Sequence, residues 1–177
     1  MELDRLPTYD ALTRRNLQVG DGVCKLCSAA IEKVEHVFIG CFVAANVWHG
    51  ISKWCRIPDI FAFSLSDLLD MHKNLGVSEK KKDAVHGIII IACWSIWRAR
   101  NKLVFSNCPV KIESILSEIK VLGFLWFSNR SKHKGIGWED WCSFVNMGRD
   151  ELNANRYRIG TGTENTVTVP TYEGKNQ

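Results

Sequence analysis

The chain lacks an apolar stretch long enough to span a membrane. The uncharged apolar run at residues 84–97 is 14 residues long, and a spanning helix needs about 20. A buried helix is expected there instead. No phosphate-cradling glycine loop appears, and no acidic cluster suited to two metal ions. The histidines at 36, 49, 72, 86 and 133 have no Ser or Cys nucleophile in a nameable motif beside them. These gaps argue against an enzyme. An even cysteine count is missing too, since 7 cysteines cannot all pair within one chain. The first residues, Met1-Glu2-Leu3-Asp4-Arg5, are too charged for a signal peptide. A reducing, intracellular setting is expected, nuclear or cytoplasmic, where clustered cysteines signal metal or catalysis rather than disulfides.

What is present is ordinary globular material: 46% hydrophobic, 24% charged and a net charge of +4 over 177 residues. Helical periodicity dominates. A short helix is expected over residues 8–17, with Leu12 and Leu17 as its apolar contacts. Residues 42–55 place Ala44, Val47, Trp48, Ile51 and Cys55 on one face. Ser64 or Ser66 can cap a helix over 65–75. Ser78 opens the longest helix, to about residue 105. It contains Ile88-Ile89-Ile90-Ile91, which alone would pass for a strand. A last long helix covers 111–128, with Ile112, Ile115, Leu116, Ile119, Leu122 and Trp126 on one face. Trp48, Trp94, Trp97 and Trp126 are expected in the core. Trp138 and Trp141 form a short helix or packing hook.

Residues 23–41 have neither period. They hold Cys24, Cys27, His36 and Cys41 in the pattern C-x2-C-x8-H-x4-C. Two cysteines two residues apart can grip one ion from a single turn, and His36 with Cys41 can supply the opposite edge. His49 or Cys55 could replace a ligand but lie on the following helix. Three thiolates and an imidazole complete a tetrahedron and leave no corner for water. One structural zinc is therefore expected. Cys55, Cys93, Cys108 and Cys142 are scattered and read as core or incidental.

The segment Cys24-Lys25-Leu26-Cys27, with Glu35-His36-Val37-Phe38, Cys41-Phe42-Val43-Ala44 and Val47-Trp48, resembles the zinc-binding domain at the C-terminal end of plant LINE-type reverse transcriptases. Asp4-Arg5-Leu6-Pro7-Thr8 before it is similar. So are Trp94-Ser95-Ile96-Trp97-Arg98-Ala99-Arg100-Asn101-Lys102-Leu103-Val104-Phe105 and, further on, Trp126, Arg130-Ser131-Lys132 and Trp138-Glu139-Asp140-Trp141. The resemblance implies a zinc knuckle carried behind a polymerase in a non-LTR retrotransposon, with Cys24, Cys27, His36 and Cys41 as ligands. It transfers no polymerase residue, because the chain contains no Asp-Asp dipeptide. The expected fold is mainly α, a small helical domain with an N-terminal CCHC zinc knuckle and a disordered C-terminal tail. The expected division is 1–57 for the zinc-binding domain, 58–149 for a helical region and 150–177 for the tail.

The expected function is non-catalytic: assisting the polymerase portion of the parent element with RNA or single-stranded DNA, with neither membrane nor small-molecule substrate. The chain then reads as a C-terminal fragment of a longer element. Candidate nucleic-acid contacts are Arg14, Arg15, Lys25, Phe38, Arg98, Arg100 and Lys132. Against this stands a plainer reading, in which basic clusters are solvated faces and the knuckle only staples helices.

Overall fold

A computed structural model describes residues 6–17, 20–131, 135–145 and 147. The described residues are mainly helical, with one isolated antiparallel bridge between Val23 and Ile31. Six α-helices follow in order: α1 (Tyr9–Thr13), α2 (Phe42–Cys55), α3 (Leu65–Asp70), α4 (Glu79–Ser106), α5 (Ile112–Arg130) and α6 (Trp138–Ser143). A π-helical turn, His36–Gly40, precedes α2, and a 3-10 turn, Met71–Asn74, extends α3. The tail at 150–177 lies outside the described residues.

The organising pair is α4 and α5, packed antiparallel. Gly87 of α4 lies under the Trp126 indole, and Gly123 of α5 lies against Trp141 and Ile88. At both sites the missing side chain lets the helices approach. The Ile88–Ile91 run is helical because its first two residues are fully buried. Burial there outweighs the small helix penalty of β-branched side chains. Buried positions on α4 cover more than one stripe, from Ala84, Ile88 and Ala92 to Cys93, Trp97 and Arg100. It is therefore the central helix, and α2, α3 and the knuckle pack on it as well as α5.

Helix ends follow side-chain chemistry. Ser64 and Asp67 form a reciprocal capping box on α3. Ser78 accepts the Lys81 N–H and donates to the Met147 carbonyl at 2.9 Å. Arg56 and Asn107 take left-handed φ of 51° and 49° to end α2 and α4.

Four expectations change. The first helix is only five residues long, because the chain turns through Asn16 at φ 59°. Leu17 is exposed, and Ala11 is the buried contact. On α5 the buried line is Ile115, Ile119, Gly123 and Phe127. Trp126 is only half-buried. Trp94 is 49% exposed, on the solvent stripe it shares with Arg98 and Phe105. The Trp141 hook is fully buried. Its indole donates to the Lys120 carbonyl at 2.8 Å, and Trp54 donates to the Trp141 carbonyl at 3.1 Å. A single core cluster includes Cys24 of the knuckle and Met147 near the other end.

His72 of the 3-10 turn stacks on His86 of α4, centroids 4.1 Å apart. Burial first, then the His72 ring, pulls the His86 pKa below its ordinary value; Asp83 and Asp70 oppose this. The unfolded chain therefore binds a proton here more readily than the folded one. The stability from this site is full above the unfolded pKa of about 6.5 and is lost as pH falls below that value and through the lower folded pKa. The His86→Gln variant should show a flatter decline in melting temperature between neutral and mildly acidic pH than the parent. Parallel curves would contradict the assignment.

Candidate metal centre

The knuckle is built by backbone bonds that turn the chain tightly. Gly22, at φ 76°, receives the Glu32 N–H on its carbonyl at 2.9 Å. The Tyr9 ring packs where a Gly22 Cβ would be, so both conformation and contact require glycine. Cys24 donates to the Ala30 carbonyl, and Ser28 to the Cys24 carbonyl, both at 2.8 Å. This closes the turn that carries Cys24 and Cys27. The other pair comes from the π-helical turn. Its closing bond, Cys41 N–H to the His36 carbonyl at 2.7 Å, sets residues 36 and 41 one above the other. Trp48 pins the turn to α2 by donating its indole N–H to the Phe38 carbonyl at 2.7 Å.

The Sγ atoms of Cys24, Cys27 and Cys41 and a ring nitrogen of His36 all lie within 4.8 Å of one another. His36 Nε2 is 3.2 Å from Cys27 Sγ. A tetrahedral zinc site with Zn–S bonds of about 2.3 Å has edges of about 3.8 Å, so the donors fit with small adjustments. Backbone charge distribution favours thiolates. Leu26 and Cys27 N–H groups point at the Cys24 sulfur, and Val43 and Ala44 N–H groups, at the start of α2, point at Cys41. The hydrogen bond from Cys41 is the main cause that pulls Cys24 down to about 5. The same bond, with burial, pushes Cys41 up. By contrast, burial raises the Cys55 thiol and pushes Cys93 up to about 12, as inert core thiols require.

Residues 1–48 match the family model described as zinc-binding in reverse transcriptase. The match ends at Trp48, the residue that pins the metal-bearing turn to α2. No curated protein matches the chain, and no solved structure does. The N-terminal segment is thus a zinc-binding region of the kind associated with reverse transcriptases, and its Cys3His donor set suits zinc. When bound, zinc supplies a four-point cross-link between the two halves of the knuckle.

The zinc-binding domain is fastened to the helical region by a pair that the sequence did not signal. Glu32, 68 positions from Arg100, accepts from its Nε at 3.0 Å and from its Nη2 at 2.6 Å. Both side chains are buried, 2% and 11% exposed. Arg100 also donates to Asn101 and lies 5.0 Å from the Trp97 ring. Glu32 receives the Tyr9 N–H as well, so one carboxylate joins α1, the knuckle and α4. Two candidate nucleic-acid contacts are therefore corrected. Arg100 is committed to Glu32, and Phe38 is fully buried beneath the π turn. Arg14, Arg15 and Lys25 are exposed within the matched segment. Arg14 pairs with Asp10 at 3.3 Å and Lys25 with Asp21 at 2.9 Å. The Lys25 contact, with the Val23 N–H, holds the Asp21 carboxyl below its ordinary range. Arg98 pairs with Glu118 at 3.0 Å, far along α4. Lys132 lies outside the described residues.

Proposed function

We propose that this chain is a non-catalytic part of a plant LINE-type, non-LTR retrotransposon reverse transcriptase. One structural zinc, on Cys24, Cys27, His36 and Cys41, shapes its N-terminal domain, which helps the polymerase portion hold RNA or single-stranded DNA. The observation that carries the reading is the closed Cys3His donor set inside the segment that matches the reverse-transcriptase zinc-binding family. Four protein donors leave no corner for a reactive water, which favours structure over catalysis. The chain has no Asp-Asp dipeptide of the polymerase type. Its work would be in the cytoplasm and nucleus, where such an element is copied and inserted.

A second reading has one observation in its favour. The buried Glu32–Arg100 pair welds the knuckle to α4, as a purely structural or protein-interaction module would require. Salt dependence separates the two. Zinc-loaded chain should bind single-stranded nucleic acid with an affinity that falls steeply as salt rises, because phosphate contacts release counterions. Primer extension by the same preparation should give no product. Template-dependent synthesis, or no binding at low salt, would overturn the proposal.

A further inference from the structure

The exposed stripe of α2 changes chemistry along its length. Phe42, Ala45, His49 and Lys53 follow at helical spacing, with Arg56 at the cap, and all five are exposed. Neither Lys53 nor Arg56 is ion-paired among the described residues. Facing this stripe runs the segment after α2. Buried Ser52 fixes it by accepting the Ile60 N–H at 2.9 Å, and buried Ala62 anchors it. On either side of Ala62 the chain turns Phe61 and Phe63 outward, 75% and 86% exposed. Their rings meet edge to face at 5.0 Å. Phe42 is 70% exposed. Between stripe and segment is a groove of about 280 Å³, walled by Ile39, Trp48, Phe61 and Leu68. His49 and Asp59, 3.1 Å apart, form its polar rim. Ile39 belongs to the turn joining His36 to Cys41, so the groove opens beside the metal centre.

Lys53 lies one turn beyond the groove-lining His49 and Arg56 at the cap of the same helix, so exposed rings and unpaired cations follow one another along this face, the elements of a single-strand platform: bases stack on the rings while phosphates meet the cations. We propose that this groove binds single-stranded RNA, with bases on Phe61 and Phe63 and the phosphate chain along Lys53 and Arg56. The inference rests on the reading that the chain handles nucleic acid, and it assigns the surface. Ribose rather than deoxyribose follows from the rim. The Asp59 carboxylate repels phosphate but accepts a hydrogen bond from a 2′-hydroxyl, which DNA lacks.

The test uses the whole zinc-loaded chain and labelled oligouridylate about 12 nucleotides long, near the upper site size of one single-strand module. Its 2′-deoxy counterpart, with the same bases, isolates the hydroxyl. Fluorescence anisotropy should show Phe61→Ala/Phe63→Ala weakening RNA binding about tenfold or more, with an unchanged melting temperature, since both rings are in solvent. Lys53→Gln/Arg56→Gln should lower the slope of log affinity against log salt by about 1.4, roughly 0.7 per lost single-strand phosphate contact. The deoxy oligomer should bind more weakly, and Asp59→Asn should narrow that gap. Wild type that binds RNA while the double phenylalanine variant binds it equally would overturn this assignment alone. No binding by wild type would overturn the broader proposal as well. Equal affinity for both oligomers would overturn the ribose assignment. Concentration-dependent dimerisation without RNA, lost in the phenylalanine variant, would make the surface a contact between copies and overturn the RNA site.

Discussion

Stripping zinc with a chelator, or replacing Cys41 by Ser, should unfold residues 20–45 and leave the α4–α5 pair folded. Structural zinc is worth about 10–16 kcal/mol in zinc-finger peptides at neutral pH. A whole domain is typically stable by only about 5–15 kcal/mol. Apart from the Glu32–Arg100 pair, the Trp48 bond and the buried Val37 and Phe38, the knuckle is held by one isolated bridge, a few turn bonds and a π-helical turn. Without the ion, Cys24 and Cys41 are two buried sulfurs that share one hydrogen bond. The α4–α5 contact does not run through the metal centre, because it rests on Ile88, Ile119 and Phe127 beside the Trp141 hook. Hydrogen exchange should therefore show lost protection across 20–45, with α4 and α5 still slow. Zinc content should fall from one per chain to none in both Cys41→Ser and His36→Ala. Full zinc in either variant, or unchanged protection after chelation, would refute the four-ligand assignment.

The second large effect should come from Glu32. In Glu32→Ala the Arg100 guanidinium stays buried on α4 with its bidentate partner gone. Breaking a buried pair in this way costs about 3–5 kcal/mol. For a chain of this size that corresponds to a fall in melting temperature of about 6–20 °C. The Tyr9 N–H also loses its acceptor, which adds to the cost. Glu32→Ala/Arg100→Met should recover much of the loss, because a flexible apolar side chain beside Trp97 needs no counter-charge. Urea unfolding of the three variants measures this. A loss below about 1 kcal/mol in Glu32→Ala, the range of an exposed pair, would mean that water reaches the guanidinium and the weld is not buried. No rescue in the double variant would mean that Glu32 acts through its backbone-facing bonds instead.

Much of this molecule was legible one residue at a time. The bounds of α2 followed from apolar spacing, and the start of α4 from Ser78. The Cys3His quartet was legible because zinc constrains ligand type and spacing within 18 positions, a range the backbone itself controls. The features that misled share one property: their outcome depends on which neighbour arrives. Trp94 and Trp97 are three residues apart on one helix, and only the placement of α5 and the knuckle decides that the second is buried and the first is not. The buried line of α5 is turned from the expected one because Trp141 packs against Gly123 and Phe127, which leaves Trp126 half-buried at the edge, over Gly87. Phe38 looked like a stacking surface beside the ligands until the π turn folded it inward.

Local periodicity, capping residues and ligand spacing thus determined the helices and the zinc quartet, since these interactions join residues within a few turns of one another. Tertiary structure decided what the knuckle is attached to and which surface is left open. Glu32 meets Arg100 across 68 positions, and the segment carrying Phe61 and Phe63 faces α2 only because Ser52 and Ala62 hold it there. Pairings at such separation depend on how the helices cross, and no local pattern in the chain encodes that geometry.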